Sequence, residues 1–289
     1  MRVLVATDAS KCAEVAVDLV AGLTWPADTI IEVVEVVPVG VTIFGGPWPP
    51  ITPVESNDID NDIREQARRN LAAAADRLAG PGRTVDDSIT TGRAGDAIVE
   101  LAERTDADLI VVGSRGHGTL ETMLLGSVSS EVVVHARVPV LVARSPAFER
   151  GVFAWDGSEQ ARRALPALTQ WKVFGSAHVE VLSIADAESP WWVRAGLTSS
   201  EGAVAAYYEA AEPSRTQHAE MARSMAEELQ AAGIDASGVS REGDPAESIV
   251  AFARAHEADL IVLGTHGRTG LRRLLMGSVA RNVLVHAHC

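Results

Sequence analysis

The chain opens on Arg2-Val3-Leu4-Val5-Ala6, an apolar run without polar alternation, which is the pattern of a strand covered on both faces. Apolar positions then recur at Ala13, Val17 and Val20, one face of a helix that the spacing predicts from about Ser10 to Leu23. Thr29 to Val37 is a second buried strand. Val39 to Asn57, carrying Pro47, Pro49, Pro50 and Pro53, is a loop. A long helix rich in Ala and Arg is predicted over Ile59–Leu78, and a strand over Thr84–Thr91. A helix over Asp96–Glu103 and a strand over Leu109–Val112 follow, then a helix over Gly126–His135 and a last strand over Val138–Ala143. Strands and helices in strict alternation, with continuously apolar strands, predict an α/β fold with a parallel sheet covered on both faces.

The pattern is then written a second time. Ala107–Ala136 aligns with Ala258–Ala287 without a gap, at an offset of 151 residues, and Asp8-Ala9-Ser10 aligns with Asp156-Gly157-Ser158 at 148. A repeat of that length is a whole domain rather than a solenoid unit. The expected division is 1–146 and 147–289, with the junction near Ser145-Pro146-Ala147. Two departures stand out in the second half. Pro166 falls inside its first helix, Glu159–Trp171, and should kink or interrupt it. After Ala136 the first half runs on into its last strand, whereas only His288-Cys289 follow Ala287, so the second sheet lacks a fifth strand.

Composition narrows the function classes. Of 289 residues 47% are hydrophobic, and mean hydropathy is +0.10, which fits a soluble globular chain with a sizeable core. Lys and Arg number 25 against 39 Asp and Glu, a net charge of −14, which argues against a nucleic-acid or anionic-membrane surface. The first residues enter a strand directly, and no apolar run approaches a membrane span, so a cytoplasmic protein is expected. Cys12 and Cys289 form no spaced pattern for a disulfide framework or zinc, and Cys12 is expected as a small buried hydrophobe.

The candidate chemistry lies in the glycines. Gly113, Gly116, Gly126 and Ser127 recur in spacing as Gly264, Gly267, Gly277 and Ser278, each set running from a strand end to a helix start. In a doubly wound sheet that is the crevice where ligands bind. Glycine lets backbone N–H groups come close to a ligand, and an opening helix offers unpaired N–H groups to an anion. Val128 and Val279, next along each helix, complete the candidate set. A phosphate held this way needs no lysine cluster, and the chain contains only Lys11 and Lys172. The dinucleotide fingerprint and the lysine-bearing phosphate loop of nucleoside triphosphatases are both absent. Singly, each glycine is explained as well by a helix cap or a turn; the doubled spacing favours the ligand.

With Gly-x2-Gly-x9-Gly-Ser present twice, the chain resembles a tandem universal stress protein of the nucleotide-binding branch, over essentially its whole length. The resemblance implies two adenine nucleotide α-hydrolase-like domains of strand order 3-2-1-4-5. It implies ATP at the crevice, with or without Mg²⁺, one site per domain, in a stress-responsive regulator or nucleotide sensor that hydrolyses ATP slowly at most. The loop glycines would follow the ribose and phosphates. Asp8 and Asp156 match the aspartate that reaches toward adenine and ribose, and Val36 and Ile184 match the residue packing beside the base. Taken from the residues alone, Asp8 and Asp156 are equally explained as helix N-caps. His117 and His266 are expected as solvent-facing loop residues, while Arg115, Arg268, Arg272 and Arg273 are within reach of phosphate or simply solvated. Ala9 stands where the commoner form has glycine, as at Gly157, which should disturb the turn slightly.

The family's edge strand often pairs domains. Pairing within the chain and a homodimer are therefore expected, with the mode left open by the missing strand. Trp48 and Trp191-Trp192 lie in corresponding loops, as a cover for a base, a buried lid or a protein contact surface. The rival readings are a nucleotide-hydrolysing enzyme of the related α/β superfamily and a nucleotide-free interaction module. Against the first, no positioned general base, nucleophile–base pair or metal-ligand cluster is visible in the sequence.

Overall fold

The computed structural model describes residues 1–38, 56–116, 125–171, 177–185, 201–265 and 276–289. The chain divides into two compact units, Met1–Ala147 and Phe148–Cys289. In the first, strands β1 (Arg2–Ala6), β2 (Thr29–Val37), β3 (Arg83–Thr91), β4 (Leu109–Gly113) and β5 (Val140–Ala143) alternate with helices α1 (Lys11–Gly22), α2 (Ser56–Leu78), α3 (Ala94–Arg104) and α4 (Ser127–His135). The sheet is parallel, in the order β3-β2-β1-β4-β5. The second unit holds β6 (Arg150–Ala154), α5 (Glu159–Arg162), α6 (Leu165–Thr169), β7 (His178–Ala185), α7 (Glu201–Ala231), β8 (Ala236–Glu242), α8 (Pro245–Ala255), β9 (Leu260–Val262) and α9 (Ser278–His286). Its parallel sheet has four strands, β8-β7-β6-β9, so the expected fifth strand is absent among the described residues.

Both faces of each sheet are covered, as unbroken apolar strands require. On one face of the first sheet, Leu4, Val34, Ile110 and Val112 pack with Ile98 and Leu101 of α3 and Val132 of α4. In the second unit Phe153, Val179 and Val181 meet α5, α6 and α7, while Val152 and Leu182 meet Ile249 and Phe252 of α8 and Val283 of α9.

The boundaries differ from expectation by a few residues, for local reasons. Gly126 is the N-cap of α4 rather than its first turn, with extended backbone at φ −74° and ψ 157°. The last strand begins at Val140, and α2 begins at Ser56. Pro166 does break the first helix of the second unit, leaving α5 and α6 on either side of Arg163-Ala164. Its ring removes a backbone donor and crowds the preceding turn. Pro213, not foreseen as a feature, is instead carried inside the 31-residue α7. Cys12 is half-buried rather than fully buried.

The halves solve one capping problem in two ways. Asp244 caps α8, its Oδ1 accepting from the Glu247 N–H at 2.8 Å. The corresponding residue before α3 is Arg93, which supplies no side-chain cap. There Glu131 of α4 reaches across, pairing with Arg93 at 2.9 Å, and lies where any Cβ on Gly95 would stand. The matching positions in the second unit are Ala246 and Asn282, so the whole trio changes together. Asp244→Ala is expected to lower the stability of the second unit by about 1 kcal/mol, read as a shifted denaturation midpoint at unchanged slope.

Candidate functional site

Each β1-like strand ends in a short turn that the sequence writes as Asp-x-Ser. The Asp8 Oδ1 accepts from the Ser10 N–H at 2.9 Å, and the Thr7 Oγ1 accepts from the Ala9 N–H at 3.1 Å. This Asx-type closure forces Ala9 to φ 57°, where its counterpart Gly157 sits at φ 77°. Ala9 therefore leaves the turn intact and carries a left-handed conformation that costs about 1 kcal/mol in an L-residue. The N-cap of α1 is Ser10, whose Oγ accepts from the Ala13 N–H at 3.3 Å, and Ser158 caps α5 in the same way at 3.1 Å. Asp8 and Asp156 are therefore not N-caps. Each is one residue pair upstream, closing the turn through one carboxylate oxygen.

The glycine loop is tied to this turn. The Ser10 hydroxyl also donates to the Arg115 carbonyl at 3.3 Å. A Cβ on Gly116 would lie 2.5 Å from the Asp8 Oδ2, so that glycine gives the second carboxylate oxygen its place. Gly113 has a packing role as well as its place at the strand end. Its missing Cβ admits the backbone of α1, with the Cys12 carbonyl oxygen only 2.5 Å from where that carbon would be. It is a packing glycine first. The Gly126 N–H donates to the Ser114 carbonyl at 2.7 Å, and the Gly277 N–H to the Thr265 carbonyl at 2.8 Å, so both units anchor the helix start to the strand-end loop alike. Gly126 brings no side chain to the first turn of α4, and the Ser129 hydroxyl turns inward to the Gly113 carbonyl at 2.6 Å.

These pieces surround a cavity of about 580 Å³ at the carboxyl ends of β1, β2 and β4. Asp8, Val36, Gly113, Gly116, Gly126, Ser127 and Val128 all line it. Sequence reasoning missed most of the wall: Val34, Ile98 and Val112 are apolar, and Thr7 and Ser129 are polar. Their position became readable only with the strand order. Arg115, within reach of phosphate by sequence, does line the cavity. A volume in this range, with a mostly apolar lining and a few polar groups, is what small-molecule sites have.

In the second unit Asp156 follows β6, Ile184 stands near the end of β7, Gly264 follows β9, and Gly277 caps α9, which Ser278 and Val279 open. All six stand at the corresponding end of their own sheet. Gly267 lies outside the described residues, as do His117, His266, Arg268, Arg272, Arg273, Trp48, Trp191 and Trp192.

The model of the universal stress protein family matches residues 1–144 and again 148–289. The chain belongs to that family, as a tandem of two domains. A universal stress protein of Methanocaldococcus jannaschii, MJ0531, is 51% identical over 67 residues, 23% of this chain and 38% of that protein. A second from that organism, MJ0577, is 34% identical over 88 residues, 30% of this chain and 54% of its own length. These stretches therefore span about half or less of those relatives. The Mycobacterium tuberculosis universal stress protein Rv2005c is 28% identical over 267 residues, covering 83% of this chain and 79% of that one. Among solved structures, a universal stress protein from Archaeoglobus fulgidus covers 99% of this chain and 94% of its own at TM-score 0.65 and 20% identity, which shows a shared fold. No helix among the described residues is long and apolar enough to cross a membrane.

Proposed function

We propose that this universal stress protein binds adenine nucleotide, ATP above all, and acts as a nucleotide-responsive regulator in the cytoplasm. The observation that carries this is the gathering of Asp8, Val36, Gly113, Gly116, Gly126, Ser127 and Val128, from four separated stretches, around one cavity in the first domain. The apolar wall suits a base, the Asp8 carboxylate suits sugar hydroxyls, and the uncapped start of α4 beside Arg115 suits phosphate. The matching residues give the second domain a site of the same kind. In this reading Asp8 is the carboxylate lining the first site, and the likeness to the family favours a binder, with or without Mg²⁺, that hydrolyses ATP slowly at most. The likeness to the family also favours domain pairing within the chain and a homodimer, which light scattering on the full-length chain would test.

The direct test is to denature the purified protein, chromatograph the supernatant for adenine nucleotide, and titrate ATP calorimetrically into the stripped, refolded chain. Carried-over nucleotide or saturable binding is expected; neither appearing would sink the proposal. Gly277→Val places a branched side chain at the helix start and should remove binding at the second site. Unchanged stoichiometry in a folded variant would show that the phosphate does not sit there.

A further inference from the structure

At the opposite end of the second sheet, away from Asp156, three side chains meet that no motif connects. His178 is the first residue of β7, Asp235 immediately precedes β8, and Ser237 is the second residue of β8. The His178 Nδ1 lies 3.0 Å from the Asp235 Oδ2, and the His178 Nε2 lies 3.0 Å from the Ser237 Oγ. An ionised carboxylate only accepts hydrogen bonds, so the neutral imidazole carries its proton on Nδ1. The Nε2 is then an acceptor, and the Ser237 hydroxyl must donate to it. That is the order of roles in which a serine hydroxyl is made nucleophilic: orienting carboxylate, base, nucleophile.

The fold does not require this trio. The register-equivalent positions in the first sheet are Ile30, Thr84 and Asp86, and that sheet closes equally well without it. Nor is the trio sealed in the core, for the His178 side chain is 42% exposed and Ser237 is half-buried. An electrophile can therefore reach the hydroxyl. The strand supplies a donor as well. β8 is the outermost strand, and the Val179 N–H donates to the Asp235 carbonyl at 2.8 Å. In parallel pairing this turns the backbone groups of Asp235 and Ser237 toward β7, so the N–H of Gly238 points outward from the sheet edge. It stands beside the nucleophile, on the residue where acyl-transfer enzymes with a serine nucleophile commonly place an oxyanion donor.

We propose that His178, Asp235 and Ser237 form an acyl-transfer site that hydrolyses small, unhindered acyl esters, independent of the nucleotide cavity. The Ser237 Oγ bonds to the ester carbonyl carbon as its proton passes to the His178 Nε2. The C–O bond to the leaving group breaks, and the proton is returned to that oxygen. Water, deprotonated by the same nitrogen, then attacks the acyl-serine, releasing the carboxylic acid and restoring the hydroxyl. Glu180, the register partner of Ser237 on β7, puts a carboxylate on the same face, so uncharged esters are favoured over anionic ones.

The full-length chain is incubated with p-nitrophenyl acetate and, separately, with a fluorophosphonate probe, followed by peptide mass spectrometry. The probe adduct is expected on Ser237, together with release of p-nitrophenol by the wild-type chain. Ser237→Ala should abolish the adduct and lower release by about 10²-fold, and His178→Ala should do the same to the rate. Asp235→Asn should lower the rate, because the imidazole loses the acceptor that orients it. Failure of wild-type protein to carry an adduct on Ser237 overturns the site whatever the variants do. A Ser237→Ala chain that releases p-nitrophenol at the wild-type rate overturns it too.

Discussion

Gly113→Ala is expected to destabilise the first domain by about 3 kcal/mol, whereas Gly264→Ala, at the same place in the same motif, should cost the second domain about 1 kcal/mol. The difference is one of clearance. At Gly113 the added carbon would stand 2.5 Å from the Cys12 carbonyl oxygen, 2.6 Å from its carbon and 2.7 Å from the Ala13 nitrogen. All three are backbone atoms in the first turn of α1, so none can swing aside; α1 and β4 must move apart. At Gly264 the nearest atoms are the Ala161 nitrogen at 3.1 Å and its Cα at 3.2 Å, a misfit of a few tenths of an ångström that α5 can absorb. Moving α1 also moves the Ser10 hydroxyl that ties the turn to the Arg115 carbonyl. Gly113→Ala should therefore weaken nucleotide binding in the first domain along with its stability. Denaturant titration followed by hydrogen exchange, peptide by peptide, assigns each loss to its domain. Equal losses for the two variants would show that the approach of α1 to β4 is looser than described.

Phe153→Ala should cost the second domain about 4 kcal/mol. Phe153 is fully buried in β6, its ring centroid 5.8 Å from that of Trp155, packed among Val179 and Val181 of β7 and the inner faces of α5 to α7. Its counterpart in the first domain is Val5, equally buried, so that core is built around a smaller side chain. Truncating Phe153 removes the apolar transfer energy of a ring and leaves a void that a sheet and three helices cannot close. Val5→Ala removes far less and should cost about 2 kcal/mol. The check is the denaturation midpoint of each variant, with exchange protection lost across β6, β7 and α7 for Phe153→Ala. Comparable effects at the two positions would mean that the second core collapses around the void.

Much of the architecture was legible in the chain itself. β2 runs over Thr29–Val37 as the apolar run predicts, and the break at Arg163-Ala164 follows from Pro166. The second sheet repeats the strand order of the first, with four strands among the described residues. The doubled glycine spacing pointed to the ends of the strands where the first domain has its cavity. The local contacts of residues within the motifs were less legible. Asp8 suits an N-cap by residue type and place, yet Ser10 caps the helix because the Asx closure holds Asp8 two residues upstream of the cap. Gly113 belongs to a nucleotide motif, yet its contact is with the α1 backbone, which no spacing records.

Continuous apolar runs alternating with helical spacing, the 150-residue repeat and the glycine spacing are local or periodic properties, so the sequence alone determined the fold class, the tandem organisation and the family. Which partner each polar group takes depends on what lies beside it across the sheet. Strand order placed Val34, Ile98 and Val112 in one wall, and strand register brought His178 against Asp235 and Ser237, 57 and 59 residues further along the chain. Hydrogen bonds act over about 3 Å, and only the tertiary structure decides which distant residues come within that reach.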